Sequence, residues 1–233
     1  MPVFILSDEL LFPHPELAEK DGLLAVGGDL SEERILLAYS LGIFPWYTSG
    51  LPILWWSPDP RLVLFPEDLR VSRSLRQTIR KGIFRVTVDN AFDEVIRSCE
   101  CMHKREDGDT WITQGMIDAY TCLHRSGYAH SVESWYEGEL AGGLYGVSMG
   151  KVFFGESMFT KKSDASKVAF VMLVRQLMQW DIRIIDCQVT TQHLIQFGAR
   201  NVPRKAFLKM LKEALAAPAP HWKRGSELHE VSN

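Results

Sequence analysis

His130-Ser-Val-Glu-Ser-Trp-Tyr136, Glu139-Leu-Ala-Gly-Gly-Leu-Tyr-Gly-Val-Ser-Met149 and Lys151-Val-Phe-Phe-Gly-Glu-Ser-Met-Phe159 decide the fold. These three β-rich runs are separated only by Glu137-Gly138 and by Gly150. Turn residues at that spacing predict an antiparallel meander. Working outward, Ser163 or Asp164 is expected to cap a long helix reaching about Trp180, with Val168, Val171, Met172, Val174 and Leu177 along its apolar stripe. Ile182–Val189 is β-branched and apolar, as a central strand is. A short helix near His193–Phe197 stops at Gly198, and Arg204–Ala216 reads as a basic amphipathic helix. The proline-containing tail from Ala217 is expected to pack loosely.

Upstream, Phe84–Val88 reads as a strand, Ala91–Cys99 as a short helix and the charged stretch 103–110 as a loop. Thr113 caps a helix to about Arg125, stopped by Gly127. Nearer the N-terminus, Asp29 and Ser31 offer caps for a helix from Glu32 to Leu41, and Gly42 suits its left-handed end. The aromatic and proline-rich stretch that follows contains Pro58 and Pro60, which forbid regular helix there. The expected organisation is therefore α+β: a small N-terminal domain over 1–63, then a larger domain over 64–233 with a mixed, centrally antiparallel sheet.

Composition narrows the function. The chain has 233 residues, 46% of them hydrophobic and 24% charged. It can bury roughly 70% of its unfolded surface without a metal or disulfide staple. Its four cysteines form no CxxC pair, so neither a disulfide scaffold nor a structural zinc site is expected. No apolar run approaches the ~20 residues of a membrane span, and no signal peptide is evident. A cytoplasmic protein without membrane attachment is the expectation. The net charge of −3 hides strong clustering: residues 70–85 hold six basic and no acidic side chains, whereas residues 1–69 are strongly acidic. Arg73, Arg76, Arg80 and Lys81 would form one basic flank of a helix, opposite Leu75 and Ile79. That flank is either a solvated face or a contact for phosphates.

Several residues could carry chemistry. Asp186 interrupts an apolar strand and, by strand alternation, shares a face with Gln188. It reads either as a carboxylate satisfied by backbone amides or as a general base that Gln188 assists. Glu156, beside Gly155, is either an edge residue or half of an acidic pocket suited to a cation. Trp46, Trp55, Trp56 and Trp111 are core residues or platforms for stacked nucleobases. Absences matter too. There is no GxxxxGK[ST], no GxGxxG and no GxSxG, and His193 stands alone.

The segments Gly22-Leu-Leu-Ala-Val-Gly-Gly-Asp-Leu-Ser31, Gly42-Ile-Phe-Pro-Trp46, Trp55-Trp-Ser-Pro-Asp-Pro-Arg61, Thr110-Trp-Ile-Thr113, Gly142-Gly-Leu-Tyr-Gly-Val147, Phe154-Gly-Glu-Ser-Met-Phe159, Asp164-Ala-Ser-Lys167 and Ile185-Asp-Cys-Gln188 closely resemble the leucyl/phenylalanyl-tRNA–protein transferases. The resemblance runs over residues 22–207. It implies an N-acetyltransferase-like larger domain and transfer of Leu, Phe or, less efficiently, Met from aminoacyl-tRNA to the N-terminal Arg or Lys of proteins, marking them for N-degron proteolysis. It implies that Trp46 and Trp111 hold the terminal adenosine. Leu144, Phe153, Gly155 and Met158 would line the amino-acid pocket, with Thr191 nearby. Glu156, Asp186 and Gln188 would handle the acceptor's amino terminus. No cofactor and no metal are implied, and the protein is expected to act as a monomer.

Two other readings remain. An acyl-CoA-dependent N-acetyltransferase would need a glycine-rich turn before the long helix, and Thr160–Ser166 has no glycine. A non-catalytic RNA-binding module would need the basic run and the aromatics, but no paired Glu156 and Asp186. If Asp186 is a base, Asp186→Ala is expected to abolish most transfer while leaving the fold intact.

Overall fold

The computed structural model describes residues 3–104 and 110–229. Strand β1 (Phe4–Leu6) runs parallel to β2 (Leu23–Gly27). Helix α1 (Glu32–Ser40) follows. Its cap is Ser31, whose hydroxyl accepts from the Arg34 amide, while Asp29 pairs with the Arg34 side chain. Gly42 takes the left-handed conformation expected after the helix (φ 72°). Strands β3 (Phe44–Pro45) and β4 (Leu54–Trp56) complete a small sheet of order β1-β2-β4-β3.

Strand β5 (Arg61–Leu64) belongs elsewhere: it pairs between β11 and β10 in the larger sheet, introduced below. Residues 61–63, expected in the N-terminal domain, thus hydrogen-bond with the larger one, and we propose the Ser57–Pro60 stretch as the division. Helix α2 (Arg73–Arg80) is capped by Ser72 and buries Leu75 and Ile79. Strand β6 (Arg85–Val88) leads to α3 (Phe92–His103). The buried stripe of α3, formed by Phe92, Val95, Ile96 and Cys99, ends at the expected terminus, but the helix runs a turn further to His103, whose ring contacts Ser157 Oγ. The expected loop 103–110 therefore begins later, and its residues 105–109 lie outside the described residues. Helix α4 (Gln114–Arg125) is capped by Thr113 as expected.

The meander is β7 (Ala129–Tyr136), β8 (Glu139–Met149) and β9 (Val152–Thr160), all antiparallel. Helix α5 (Ala165–Gln179) then covers the sheet. Asp164, one of the two expected caps, occupies its N-cap position but makes no side-chain cap bond. Asp164 adopts a left-handed conformation (φ 66°) and pairs with Lys167 instead. Strand β10 (Ile184–Gln188), helix α6 (Gln192–Gln196), β11 (Arg200–Val202) and α7 (Arg204–Leu215) finish the chain. The larger sheet has seven strands in the order β11-β5-β10-β9-β8-β7-β6, and only β9 and β10 are parallel. The architecture is the mixed α+β arrangement expected.

The tail does not pack loosely. Trp222 stacks on His130 at a centroid distance of 4.1 Å and also contacts the rings of Phe153 and Trp180. Beyond it, the Val88 amide donates to Ser226 O and the Leu228 amide to Val86 O, so the tail covers the β6 edge. Apolar side chains cover both faces of the sheet. Trp55, Tyr39, Phe92, Tyr120 and Phe207 lie in one cluster, and Leu75, Val168, Phe170 and Leu177 in the other.

One irregularity positions the site. The parallel pairing of β9 with β10 spans only Val152–Phe154 against Ile184–Asp186. Beyond it, β9 stays with β8 and β10 with β5, so the sheet opens into a cleft.

Candidate active site

Both strands that border the cleft carry a bulge at its mouth. On β9, Ser157 pairs with Tyr145 but Gly155 pairs with Gly146, leaving Glu156 as the extra residue. On β10, Asp186 pairs with Val63 and Gln188 with Leu62, leaving Cys187 as the extra residue. Bulges re-aim side chains, and here they reverse a simple strand reading. Asp186 and Gln188 do not act on one surface. Gln188 lines the cavity with a left-handed backbone (φ 61°), whereas Asp186 is fully buried and does not line it.

Asp186 faces Arg61, the residue that sequence reasoning missed. Arg61 donates from Nε to Oδ1 at 2.8 Å and from Nη2 to Oδ2 at 2.7 Å, and its Nη1 donates to Gly42 O. The guanidinium lies 4.8 Å from the ring centroids of both Phe44 and Phe207. This bidentate buried pair holds Asp186 outside the cavity lining, and Oδ1 also accepts from the Gln188 amide at 2.9 Å. We propose that Asp186, expected as a general base, serves instead as a buried anchor that fixes the Gln188 backbone. The signal was available in outline: an arginine inside an apolar strand requires a carboxylate partner.

The cavity encloses about 330 Å³. Trp46, Trp111, Leu144, Phe153, Gly155, Glu156, Met158, Thr191 and Gln188, all singled out above, line it together. Phe170, Ile185, Cys187, Val189 and Leu194 extend its apolar wall. Trp46 is 41% exposed, too open for a core residue, and lies at 6.0 Å from the Trp56 ring. Thr191 caps α6 by accepting from the Leu194 amide. Sequence reasoning also missed His103, which lines the cavity and contacts Ser157 Oγ at 2.9 Å. The Cys99 thiol is pushed up to about 12 by burial, and burial raises Cys187 too, which removes thiolate chemistry at neutral pH. His193 also lines the cavity; burial, with Lys167 nearby, lowers its pKa and keeps it neutral.

Glu156 is the one carboxylate lining the cavity among the described residues. It accepts from Tyr39 at 2.6 Å, from Tyr120 at 3.1 Å and from Gln188 Nε2 at 2.8 Å. Tyr39 and Tyr120 come from α1 and α4, and nothing local in the sequence marked them as partners. Burial pushes the Glu156 carboxyl up to about 7; the two tyrosine bonds oppose the rise, the Asp186 charge adds to it, and the Gln188 bond opposes it. A group whose pKa is raised on folding is fully tolerated below its unfolded value and destabilises as pH climbs through its folded value. The span from the ordinary carboxyl value of 4.5 to about 7 corresponds to about 3 kcal/mol. Relative to Glu156→Gln, the wild type is expected to lose about that much unfolding free energy between acid and mildly alkaline pH. Urea titrations of both proteins across that range check this, and parallel stability curves would contradict it.

The basic run behaves as a surface. Arg73, Arg76, Arg80 and Lys81 are exposed, form no ion pair among the described residues, and sit on α2 away from the cavity lining; the three arginines with Gln77 bound a shallow depression.

Comparison with known proteins gives a consistent result. A family model described as leucyl/phenylalanyl-tRNA protein transferase matches residues 63–212, and the model of that family's N-terminal domain matches residues 28–59. A Syntrophobacter fumaroxidans protein named leucyl/phenylalanyl-tRNA–protein transferase is 63% identical over 213 residues, covering 91% of each chain. Proteins of the same name from an Anaeromyxobacter species and from Myxococcus xanthus are 60% and 54% identical, covering 94% and 97% of this chain and 93% and 98% of theirs.

Proposed function

Because this chain belongs to the leucyl/phenylalanyl-tRNA protein transferase family, an aminoacyltransferase family, we propose that its cavity receives the side chain of Leu, Phe or Met on an aminoacyl-tRNA and delivers that residue to a protein whose N-terminus is Arg or Lys. The observation that carries this reading is the cavity itself: an apolar chamber of about 330 Å³ with, among the described residues, one carboxylate and two tryptophans in its lining. Leu144, Phe153, Met158 and Phe170 supply the apolar wall. Such a wall separates similar apolar shapes by only about 1–3 kcal/mol per methylene, so acceptance of several apolar amino acids follows. Trp46 and Trp111 are assigned to the terminal adenosine by stacking.

The ester of aminoacyl-tRNA is already activated, so amide formation needs positioning and proton movement rather than further activation. The acceptor α-amine, with a reference pKa of about 7.7–8.0, is partly neutral at physiological pH. Gln188, whose Nε2 is held by Glu156, offers its carbonyl oxygen to that amine. Glu156 supplies the negative charge that a cationic N-terminus requires. Attack forms the C–N bond, the C–O bond to the ribose breaks, and the ribose oxygen takes a proton. The acyl-CoA reading is not favoured. The turn before α5 lacks glycine, and Asp164 stands at the helix N-terminus, where a pyrophosphate would be repelled.

A monomer acting in the cytoplasm on N-degron substrates completes the proposal; no helix among the described residues is long and apolar enough to cross a membrane. The test is transfer of labelled Leu from Leu-tRNA to an Arg-N-terminal peptide, with acetyl-CoA as the competing donor. Acetylation without leucylation would overturn the reading. For the basic face, neutralising Arg73, Arg76, Arg80 and Lys81 together is expected to flatten the salt dependence of tRNA binding by about 0.7–0.9 per lost phosphate contact in a log–log plot. An aminoacyl-adenosine analogue should bind the variant as it binds the wild type. An unchanged salt slope would return α2 to an ordinary solvated face.

A further inference from the structure

Glu156, Tyr39 and Tyr120 touch one another in a ring. Tyr39 Oη lies 2.5 Å from Tyr120 Oη and 2.6 Å from Glu156 Oε1, and Tyr120 Oη lies 3.1 Å from Glu156 Oε2. Each such contact between oxygens needs one proton to be attractive. The two phenols bring two protons, and an ionised Glu156 brings none. Three contacts therefore share two protons. Both phenols donate to the carboxylate, Tyr39 to Oε1 and Tyr120 to Oε2, so the contact left without a proton is the 2.5 Å approach of the two phenol oxygens. One further proton, placed on Oε2 and donated to Tyr120, turns the Tyr120 hydroxyl toward Tyr39 and closes the ring.

We propose that Tyr39, Tyr120 and Glu156 form a single proton-accepting unit, and that the proton it takes is the one the acceptor's ammonium group gives up before it attacks the aminoacyl ester. The inference rests on the transferase reading above and names the destination of the proton that this reading leaves over. The ammonium loses one proton to Glu156. The resulting amine attacks, the C–N bond forms, and the C–O bond to the ribose breaks. The nitrogen's second proton goes to the ribose oxygen. The unit then returns its proton to solvent. Tyr39 and Tyr120 act through Glu156 and are positioning residues.

The surroundings agree. Glu156 faces Tyr39 on α1, Tyr120 on α4, Tyr145 on β8, and Gln188 and Asp186 on β10. The Asp186 charge is met by Arg61 on β5. Burial and the neighbouring Glu156 charge hold the Tyr39 and Tyr120 phenols well above their ordinary range, so both remain donors and the titrating member is Glu156.

Isotope-edited infrared spectroscopy on the full chain, with labelled glutamate carboxyls, reads this proton without substrate, and Glu156→Gln identifies the band. The expected result is a carboxylic-acid band that disappears around pH 7. An ordinary glutamate titration near pH 4.3 would overturn the proposal. Tyr39→Phe removes a donor to the carboxylate, so its midpoint should rise. Each unit of rise should cost about tenfold in transfer below the midpoint. That deficit should shrink as pH is raised, with the titration of the peptide amine cancelling in the ratio to wild type. A deficit independent of pH would mean a structural role and would overturn the unit. Tyr120→Phe gives the same comparison should Tyr39→Phe misfold. Absence of transfer by the wild type would overturn the transferase reading, a result distinct from the infrared one.

Discussion

Asp186→Ala is expected to destabilise the protein by about 3–5 kcal/mol, because it strands the Arg61 guanidinium inside the protein without its counter-charge. Arg61 is fully buried between Phe44 and Phe207, and its remaining bond to Gly42 O cannot replace two bonds to a carboxylate. Transfer should fall as well, since the carboxylate also holds the Gln188 amide at the bulge. The double variant Arg61→Met with Asp186→Leu removes both charges together. It should recover most of the stability, as replacing a whole buried pair by apolar side chains is often neutral or favourable. It should not recover transfer, because nothing then fixes Gln188. Urea unfolding and peptide transfer, measured on the wild type and both variants, decide the matter. If Asp186→Ala unfolds within 1 kcal/mol of the wild type, on the order of a surface change, the pair is not the anchor described here. The expectation that Asp186→Ala spares the fold is thereby reversed, and the reason is the partner on β5.

Gly146→Ala is the second large effect expected. A Cβ at this position would collide with Phe154 O and lie 2.5 Å from the Phe153 ring. The first obstacle is backbone and cannot rotate away. Relief would require β9 to shift where it carries the Glu156 bulge. Overpacking of this kind costs about 1–3 kcal/mol or more, and a displacement of about 1 Å at a reacting group can cost about 100-fold in rate. Both losses are expected in Gly146→Ala. Gly115→Ala, in α4, is the control: its Cβ would meet nothing closer than 3.5 Å, and helical glycine-to-alanine changes stabilise by about 0.4–1 kcal/mol. Thermal unfolding and transfer kinetics of the two variants provide the comparison. Full activity in Gly146→Ala would mean that the bulge does not position Glu156.

Local chemistry carried most of the secondary structure. The turn residues at Glu137-Gly138 and Gly150, the caps Ser31 and Thr113, and the stop at Gly198 act over a few residues, and the elements they bound lie where their patterns place them. Apolar periodicity likewise located the helix Ala165–Gln179, although its N-terminus is held by the left-handed Asp164 rather than by a side-chain cap. Periodicity also assigned Leu75 and Ile79 to the interior and their arginine neighbours to solvent. The cavity residues were legible as a set because rare residues cluster in long, specific segments.

Tertiary structure decided the electrostatics and the aim of the site. Strand alternation has a period of two, and one extra residue on each of β9 and β10 breaks it, so no count along the chain could separate Asp186 from Gln188. Arg61 and Asp186 are 125 residues apart, and Tyr39 and Glu156 are 117 apart. Partners at such separations meet only when the sheet order is set. A carboxylate's charge depends on those partners and on burial, not on its own neighbours in sequence. The amino-acid sequence by itself thus determined most of the elements, the α+β class and much of the cavity lining, though neither His103 nor the Glu156 partners Tyr39 and Tyr120. Which carboxylate is tied to an arginine and which one titrates in the cavity was determined by the folded chain alone, because burial and ion pairing are properties of packing between distant strands and helices.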